Sequence, residues 1–152
     1  MQSSASPRTR HLDDIAEALP QRAAALSRLF LAQTSAGISR TEVGVVSALA
    51  VRPHRITELA AGEGLTQPAI TRLVDRLQDR GWVRRQSDPD DGRVVMVRLT
   101  PAGQEMYGRL RAEYRALVHE EMAALADADV ETLARAIDVL DELIARLQER
   151  DL

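Results

Sequence analysis

The chain contains no cysteine and no lysine, and it has no apolar run near the length of a membrane span. Without cysteine there can be no disulfide, no thiol-based redox sensing and no cysteine-ligated metal, a composition compatible with a cytoplasmic protein. A membrane helix needs about 20 consecutive apolar residues, so neither a transmembrane segment nor a membrane partner is expected. Residues 1–10 are polar and lack the apolar stretch of a signal peptide, and they read as a flexible tail. His11, His54 and His119 are scattered, with no carboxylate cluster beside them at metal-ligand spacing, so no metal and no cofactor is expected. Asp88, Asp90 and Asp91 begin like a calcium loop, but the spacing does not continue to the glutamate that such a loop requires. Serine and histidine form no nucleophile-elbow pattern, and Gly62-x-Gly64 is a helix–helix turn rather than a dinucleotide loop. No catalytic constellation is left, and the chain reads as a non-enzyme.

What is present fits one domain with helical extensions, since 152 residues can bury about 70% of their unfolded surface without staples. The formal net charge of −3 is unevenly spread. Residues 1–51 carry 5 Arg and 4 acids, residues 52–98 carry 9 Arg and 7 acids, and residues 99–152 carry 6 Arg and 12 acids. The middle third is thus mildly basic and the C-terminal third acidic. With no strong global field, any binding of nucleic acid must rest on the local placement of arginines. Arginine also suits bidentate contacts to phosphate and guanine better than lysine does.

The pattern of elements predicts a mainly α fold with a small β-hairpin. Residues 11–38 form an N-terminal helical region, with Leu12, Ile15, Ala16 and Leu19 on one face and Pro20 expected to kink or restart the helix. Ser39 and Glu42 make a capping box that opens a helix through Val43, Val46, Leu49 and Ala50. Ile56 is placed in a very short strand, and Thr57 is expected to cap a two-turn helix ending near Gly62. Residues 66–80 follow as a helix with its own start signal: Thr66 as N-cap, Pro68 in the first turn, and Leu65 and Ile70 as a hydrophobic staple. Ile70, Leu73, Val74 and Leu77 form its apolar stripe, and Gly81 is its expected left-handed terminator. The period then changes to that of two strands, residues 82–86 and 94–99, joined by a turn-rich tip at residues 88–93. Thr100-Pro101 opens a helix to about Leu125, with Met106, Leu110, Tyr114, Leu117 and Val118 as its stripe. A last helix, starting near Asp127, spaces Val130, Leu133, Ile137, Leu140, Ile144 and Leu147 as an a/d seam.

A short helix, a turn, a second helix and a basic hairpin, in that order, are the outline of a winged helix-turn-helix. Such a unit presents the N-terminal part of its second helix to the DNA major groove. Thr66, Gln67, Pro68, Thr71, Arg72 and Arg76 are the candidates there, since Gln can pair with adenine and Arg with guanine in bidentate fashion. In the tip, Asp91 is placed to brace Arg93 as a probe for the minor groove. Arg55, Thr57, Arg84, Arg85 and Arg98 are candidate contacts to the DNA backbone, with simple solvation as the competing role.

The runs Ile56-Thr57-Glu58-Leu59-Ala60, Thr66 through Leu77, and Gly81-Trp82-Val83-Arg84-Arg85 resemble the MarR family of bacterial transcriptional regulators. So do Asp88-Pro89-Asp90-Asp91-Gly92-Arg93 and Val97-Arg98-Leu99-Thr100-Pro101-Ala102-Gly103, which are similar to that family's wing and its exit into the next helix. The resemblance covers roughly residues 39–104. It implies a homodimer built from the N- and C-terminal helices, with residues 39–100 as the DNA-binding domain and residues 101–152 as C-terminal dimerisation helices. It also implies palindromic double-stranded operator DNA and repression relieved by a small molecule. Leu29, Phe30, Val46 and Met106 are candidates for an effector pocket, with plain core as the commoner role for such residues. Gly92 departs from the family where many members carry a second basic residue. One rival reading is a winged-helix adaptor that binds protein rather than DNA. Another is an enzyme-associated module, which predicts a glycine-rich cofactor loop that these 152 residues do not contain.

Overall fold

The computed structural model describes residues 6–33, 37–87 and 94–150. Among them are six helices and one antiparallel sheet: α1 (Pro7–Ala32), α2 (Arg40–Val51), β1 (His54–Arg55), α3 (Ile56–Glu63), α4 (Gln67–Asp79), β2 (Val83–Ser87), β3 (Val95–Leu99), α5 (Pro101–Met122) and α6 (Asp127–Arg150). The sheet order is β1-β3-β2. The expected two-stranded wing therefore gains a third strand, because His54 and Arg55 pair with Val97 and Met96. Ile56 is not in that strand; it is the first residue of α3. The two strand residues just precede a helix start, so their extended backbone leaves no periodic signal in the sequence. Asp91 and Arg93 lie outside the described residues.

Several local starts and stops follow from side-chain chemistry. The Ser39 amide donates to Glu42 Oε2 at 2.8 Å and the Glu42 amide to Ser39 Oγ at 3.3 Å, which is the expected capping box. At α3 the cap position is Arg55, not Thr57: Glu58 reaches back and accepts from the Arg55 amide at 2.7 Å. Thr66 occupies the N-cap of α4, but its hydroxyl makes no capping bond; its carbonyl receives the Ala69 and Ile70 amides. Pro68 removes one of the first-turn donors that such a cap would otherwise serve. Leu65, expected to clasp Ile70, is instead half exposed, and its amide closes α3 on the Ala60 carbonyl. Gly81 ends α4 with φ +73°; its amide bonds Gln78 O and the Trp82 amide bonds Leu77 O. Only glycine adopts that left-handed geometry without steric penalty.

α1 departs from expectation at both ends and in the middle. It begins at Pro7, inside the expected tail, where Ser6 Oγ accepts from the Thr9 amide at 3.2 Å. It also runs unbroken past Pro20. Proline removes one amide donor and leaves the carbonyl four residues back without its bond. Here that carbonyl belongs to Ala16, which is exposed, so water can satisfy it.

The core lies where α2, α3, α4, the sheet and the first turns of α5 meet. Val45, Val46, Ile70, Val74, Leu77, Val83, Val97 and Leu110 are almost wholly shielded from solvent. In α2 the buried positions are Glu42, Val45, Val46 and Leu49, so the inner face is rotated from the expected stripe, with Ala50 exposed. The Thr100 hydroxyl caps α5 by accepting from the Gly103 amide at 3.0 Å, and it donates to Gly81 O at 2.6 Å. Gly103 sits so close to the Trp82 carbonyl that a Cβ there would collide with backbone. The chain divides into two compact units after Ala112, inside α5. In the second unit, α6 buries none of its residues.

Candidate nucleic-acid interface

α4 is sharply two-faced. Ile70, Leu73, Val74 and Leu77 fix its inner side in the core, while Thr66, Gln67, Pro68, Thr71, Arg72 and Arg76 are all exposed. Four buried aliphatic side chains, each worth about 1.5–3 kcal/mol on burial, hold the helix in one rotational setting. Its polar side is therefore presented in fixed order. Arg72 lies along the first turn, with Nε donating to Pro68 O at 3.3 Å. Arg55 and Thr57, at the start of α3, are likewise exposed.

The arginines around this helix are not equivalent. Arg76 was expected to read bases, yet its Nε lies 3.7 Å from Glu42 Oε1, and Arg80 Nη1 lies 3.9 Å from the same oxygen. Glu42 is 4% exposed, and sequence reasoning gave it only a capping role. Burial pushes its carboxyl up, but the Ser39 amide and hydroxyl and the guanidinium groups of Arg80 and Arg76 outweigh that and hold it below its ordinary value. Glu42 thus joins α2 to the second half of α4. The capping-box spacing made Glu42 visible, whereas its pairing with residues more than thirty positions away left no local trace. Arg80 also stacks over Trp82, 5.0 Å from the ring centroid.

Arg84, Arg85 and Arg98, alike in sequence as candidate backbone-contacting or solvated residues, are separated by the sheet. Arg85 points toward α4: it pairs with Asp75 Oδ1 at 2.7 Å and donates to Gln78 Oε1 at 3.0 Å. It is a tie between β2 and α4. Arg84 and Arg98 are register partners on the alternate positions, and so stand on the other face of the sheet. The effector candidates do not share one environment. Val46 and Met106 are core residues, while Leu29 is exposed. Among the described residues no group of His, Cys, Asp and Glu could hold a metal, and no helix is long and apolar enough to cross a membrane.

His54, on β1, has its Nδ1 buried 3.6 Å from Glu58 Oε2, too far for a hydrogen bond. Burial and nearby Arg52 depress its pKa, against the pull of Glu58. Glu58 in turn is lowered by the Arg55 amide and by Arg52, whose Nη2 lies 3.1 Å away.

Residues 38–95, which span α2 through the start of β3, match the family model described as MarR family. This stretch of the chain is a MarR family domain. Among relatives, it is 30% identical over 99 residues to the HTH-type transcriptional repressor IacR of Pseudomonas putida, covering 65% of this chain and 54% of that protein. The chain spans little more than half the length of the curated relatives it matches. Among solved structures, a probable transcriptional regulator from Pseudomonas aeruginosa is 30% identical, with a TM-score of 0.61 over 85% of this chain and 98% of that one. A MarR family protein from Bacillus stearothermophilus, 20% identical, shares the fold with a TM-score of 0.73 over 90% of this chain and 97% of that one. The MarR match centres on the residues that set the α3–α4 turn, the two-faced α4 and the strands.

Proposed function

We propose that the protein is a sequence-specific DNA-binding transcriptional regulator, acting as a repressor on palindromic operator DNA in the form of a homodimer. The observation that carries this reading is α4, clamped by four buried aliphatic residues with Gln67, Thr71 and Arg72 displayed together outward. In this reading Thr66, Gln67, Pro68, Thr71 and Arg72 enter the major groove, with Arg76 at the edge of that set because Glu42 holds it. Arg55 and Thr57 contact phosphates, and Asp91 and Arg93 serve the minor groove. Two-fold symmetry sets the half-sites about one helical turn apart. Dimer contacts come from α1 and α6, whose exposed apolar residues include Leu12, Ile15, Leu26, Ile137, Ile144 and Leu147. Such a regulator works in the cytoplasm, where the chromosome lies. Relief by a small molecule belongs to this reading by family likeness, with Leu29 and Phe30 as better lining candidates than the core residues Val46 and Met106.

The test is a titration of the protein against its own upstream promoter DNA. Arg72→Ala is expected to weaken specific binding by about 1–3 kcal/mol and to relax preference at one base pair. Arg93→Ala is expected to weaken binding evenly across sequences and to flatten the salt dependence. If neither variant differs from the wild type, both residue assignments fail; if the wild-type protein binds promoter no better than random duplex, sequence-specific regulation fails, and if it binds neither, a protein-binding adaptor takes its place.

A further inference from the structure

Glu42 carries a negative charge that its local role does not need. It closes the capping box of α2 with Oε2, which accepts from the Ser39 amide at 2.8 Å. Glutamine can also fill that position, because the box requires an acceptor rather than a charge. What the charge reaches is α4. Glu42 Oε1 faces Arg76 Nε at 3.7 Å and Arg80 Nη1 at 3.9 Å, both beyond hydrogen-bond length. A tie between elements is built differently in the same unit, where Arg85 meets Asp75 at 2.7 Å. The partners also differ in freedom. Glu42 is buried and anchored by Ser39, whereas the Arg76 side chain is 57% exposed. The carboxylate is therefore the fixed member and the Arg76 guanidinium the movable one. Arg76 is drawn back along its own helix, with Nη1 donating to Arg72 O at 3.4 Å. Arg80 is held further, by the Trp82 ring and by Gly37 O at 3.5 Å. Arg72, one turn nearer the start of α4, donates to Pro68 O, and among the described residues no carboxylate pairs with it.

We propose that Glu42 is a specificity-determining residue for DNA, a fixed counter-charge that withholds Arg76 from the phosphates of any duplex that does not seat α4 fully. The inference rests on the reading of α4 as the helix that faces DNA. Arginines bind phosphate whatever the base sequence, and each such contact adds to non-specific affinity. A guanidinium tied to a carboxylate has to leave it before it can meet a phosphate. A loosely docked random duplex gains too little from that exchange. An operator that holds α4 deep in the groove brings a phosphate or a base edge close enough to replace the carboxylate. An ion pair so exposed on one side is weak, so a well-placed ligand can displace it. Specificity is a difference of affinities, and a feature that penalises the wrong partner raises it just as one that favours the right partner does.

The experiment is a fluorescence anisotropy titration of the full chain against labelled promoter duplex and a random duplex of equal length, over a range of salt. Glu42→Gln should bind random duplex roughly three- to tenfold more tightly than wild type. Its salt dependence should steepen by about one phosphate contact, and the preference for promoter should fall. Adding Arg76→Ala to Glu42→Gln should abolish the gain. Ser39→Ala, which weakens the same capping box and leaves the charge, should show no gain. A merely structural Glu42 predicts instead that both box variants bind every duplex more weakly. Should Glu42→Gln not fold, two single variants decide. On random duplex Arg72→Ala should lower the salt slope by about one contact, and Arg76→Ala by less than about half of that. The proposal is overturned if Glu42→Gln gains nothing on random duplex, if Ser39→Ala gains equally, or if the double variant keeps the gain. It is equally overturned if Arg76→Ala flattens the slope as much as Arg72→Ala does. A wild-type protein that binds neither duplex, or both equally, removes the reading of α4 as a specific DNA-binding helix and this assignment with it. A wild-type preference for promoter, beside a Glu42→Gln variant that behaves like wild type, removes this assignment alone.

Discussion

At the scale of single residues, buried charge and close backbone approach set the sharpest constraints. Glu42 is shielded from water, yet it is held ionised by Ser39 and two arginines. Replacing it with Gln removes the ion-pair partner of Arg76 and Arg80 and weakens the capping box together. Because both arginines remain partly solvated, the loss should be about 1–3 kcal/mol rather than that of a fully buried pair. Urea unfolding of Glu42→Gln reads this as a lower midpoint at unchanged slope. Gly103→Ala should act by a different route. Its Cβ would press on the Trp82 carbonyl and push α5 away from the chain that leaves α4, at a cost of about 1–3 kcal/mol. A thermal melt no lower than wild type would mean that α5 does not approach so closely.

The titrating residues add a dependence on pH whose sign can be worked out. His54 has a folded pKa below its ordinary value of 6.5, so the unfolded chain binds the proton more readily. Its contribution is complete above pH 6.5 and is lost as pH falls through the lower, folded value. Glu42 and Glu58 are also depressed, so their contributions are complete above 4.5 and lost further down. Glu63 is opposite in sign: burial raises it, so its ionisation removes stability as pH rises past 4.5. Stability should therefore decline in two stages on acidification, the first beginning below pH 6.5. A His54→Gln variant that keeps the first stage unchanged would assign it elsewhere.

At the scale of elements, α4 and its exit show what could be read from sequence. Its apolar stripe, Pro68 in the first turn and Gly81 beyond the last turn are all local signals, and all four stripe residues are buried. Gly81→Ala forces a left-handed residue to carry a Cβ, and should cost about 1 kcal/mol, measurable in the same unfolding assay. The strands were legible by their period of two, and the pairing of Arg84 with Arg98 follows once the register is known. What stayed hidden was non-local. β1 is two residues long and exists only because β3 offers it an edge. Thr66 looks like a capping residue, but with Pro68 following it the hydroxyl is left without a capping bond. Pro20 looks like a helix breaker, but an exposed helix tolerates the lost bond. Likewise, the division of the arginines into ties, displayed residues and the opposed pair depends on which face of a sheet or helix each one occupies. Residue type alone does not carry that information.

At the scale of the whole molecule, the distribution of apolar surface fits the proposed dimer. α6 buries none of its residues, yet Val130, Leu133, Ile137, Ile144 and Leu147 recur along it at seam spacing, each between 38% and 57% exposed. A helix with so regular an apolar stripe gains little alone in water and much against a partner. The proposed dimer gives it that partner, and it makes DNA binding bivalent: the second half-site is then met at high effective concentration, worth about 10²–10⁴ in affinity. Ile137→Glu combined with Ile144→Glu places two carboxylates in the stripe, in a segment that is already acidic. Sedimentation should then show a monomer, while circular dichroism keeps the helical signal of the winged unit. Affinity for the full operator should fall by at least about a hundredfold, toward that of a single half-site. A variant that stays dimeric would move the interface off α6. A monomeric variant that still binds the operator like wild type would show that one copy suffices, and the bivalent reading would then be wrong.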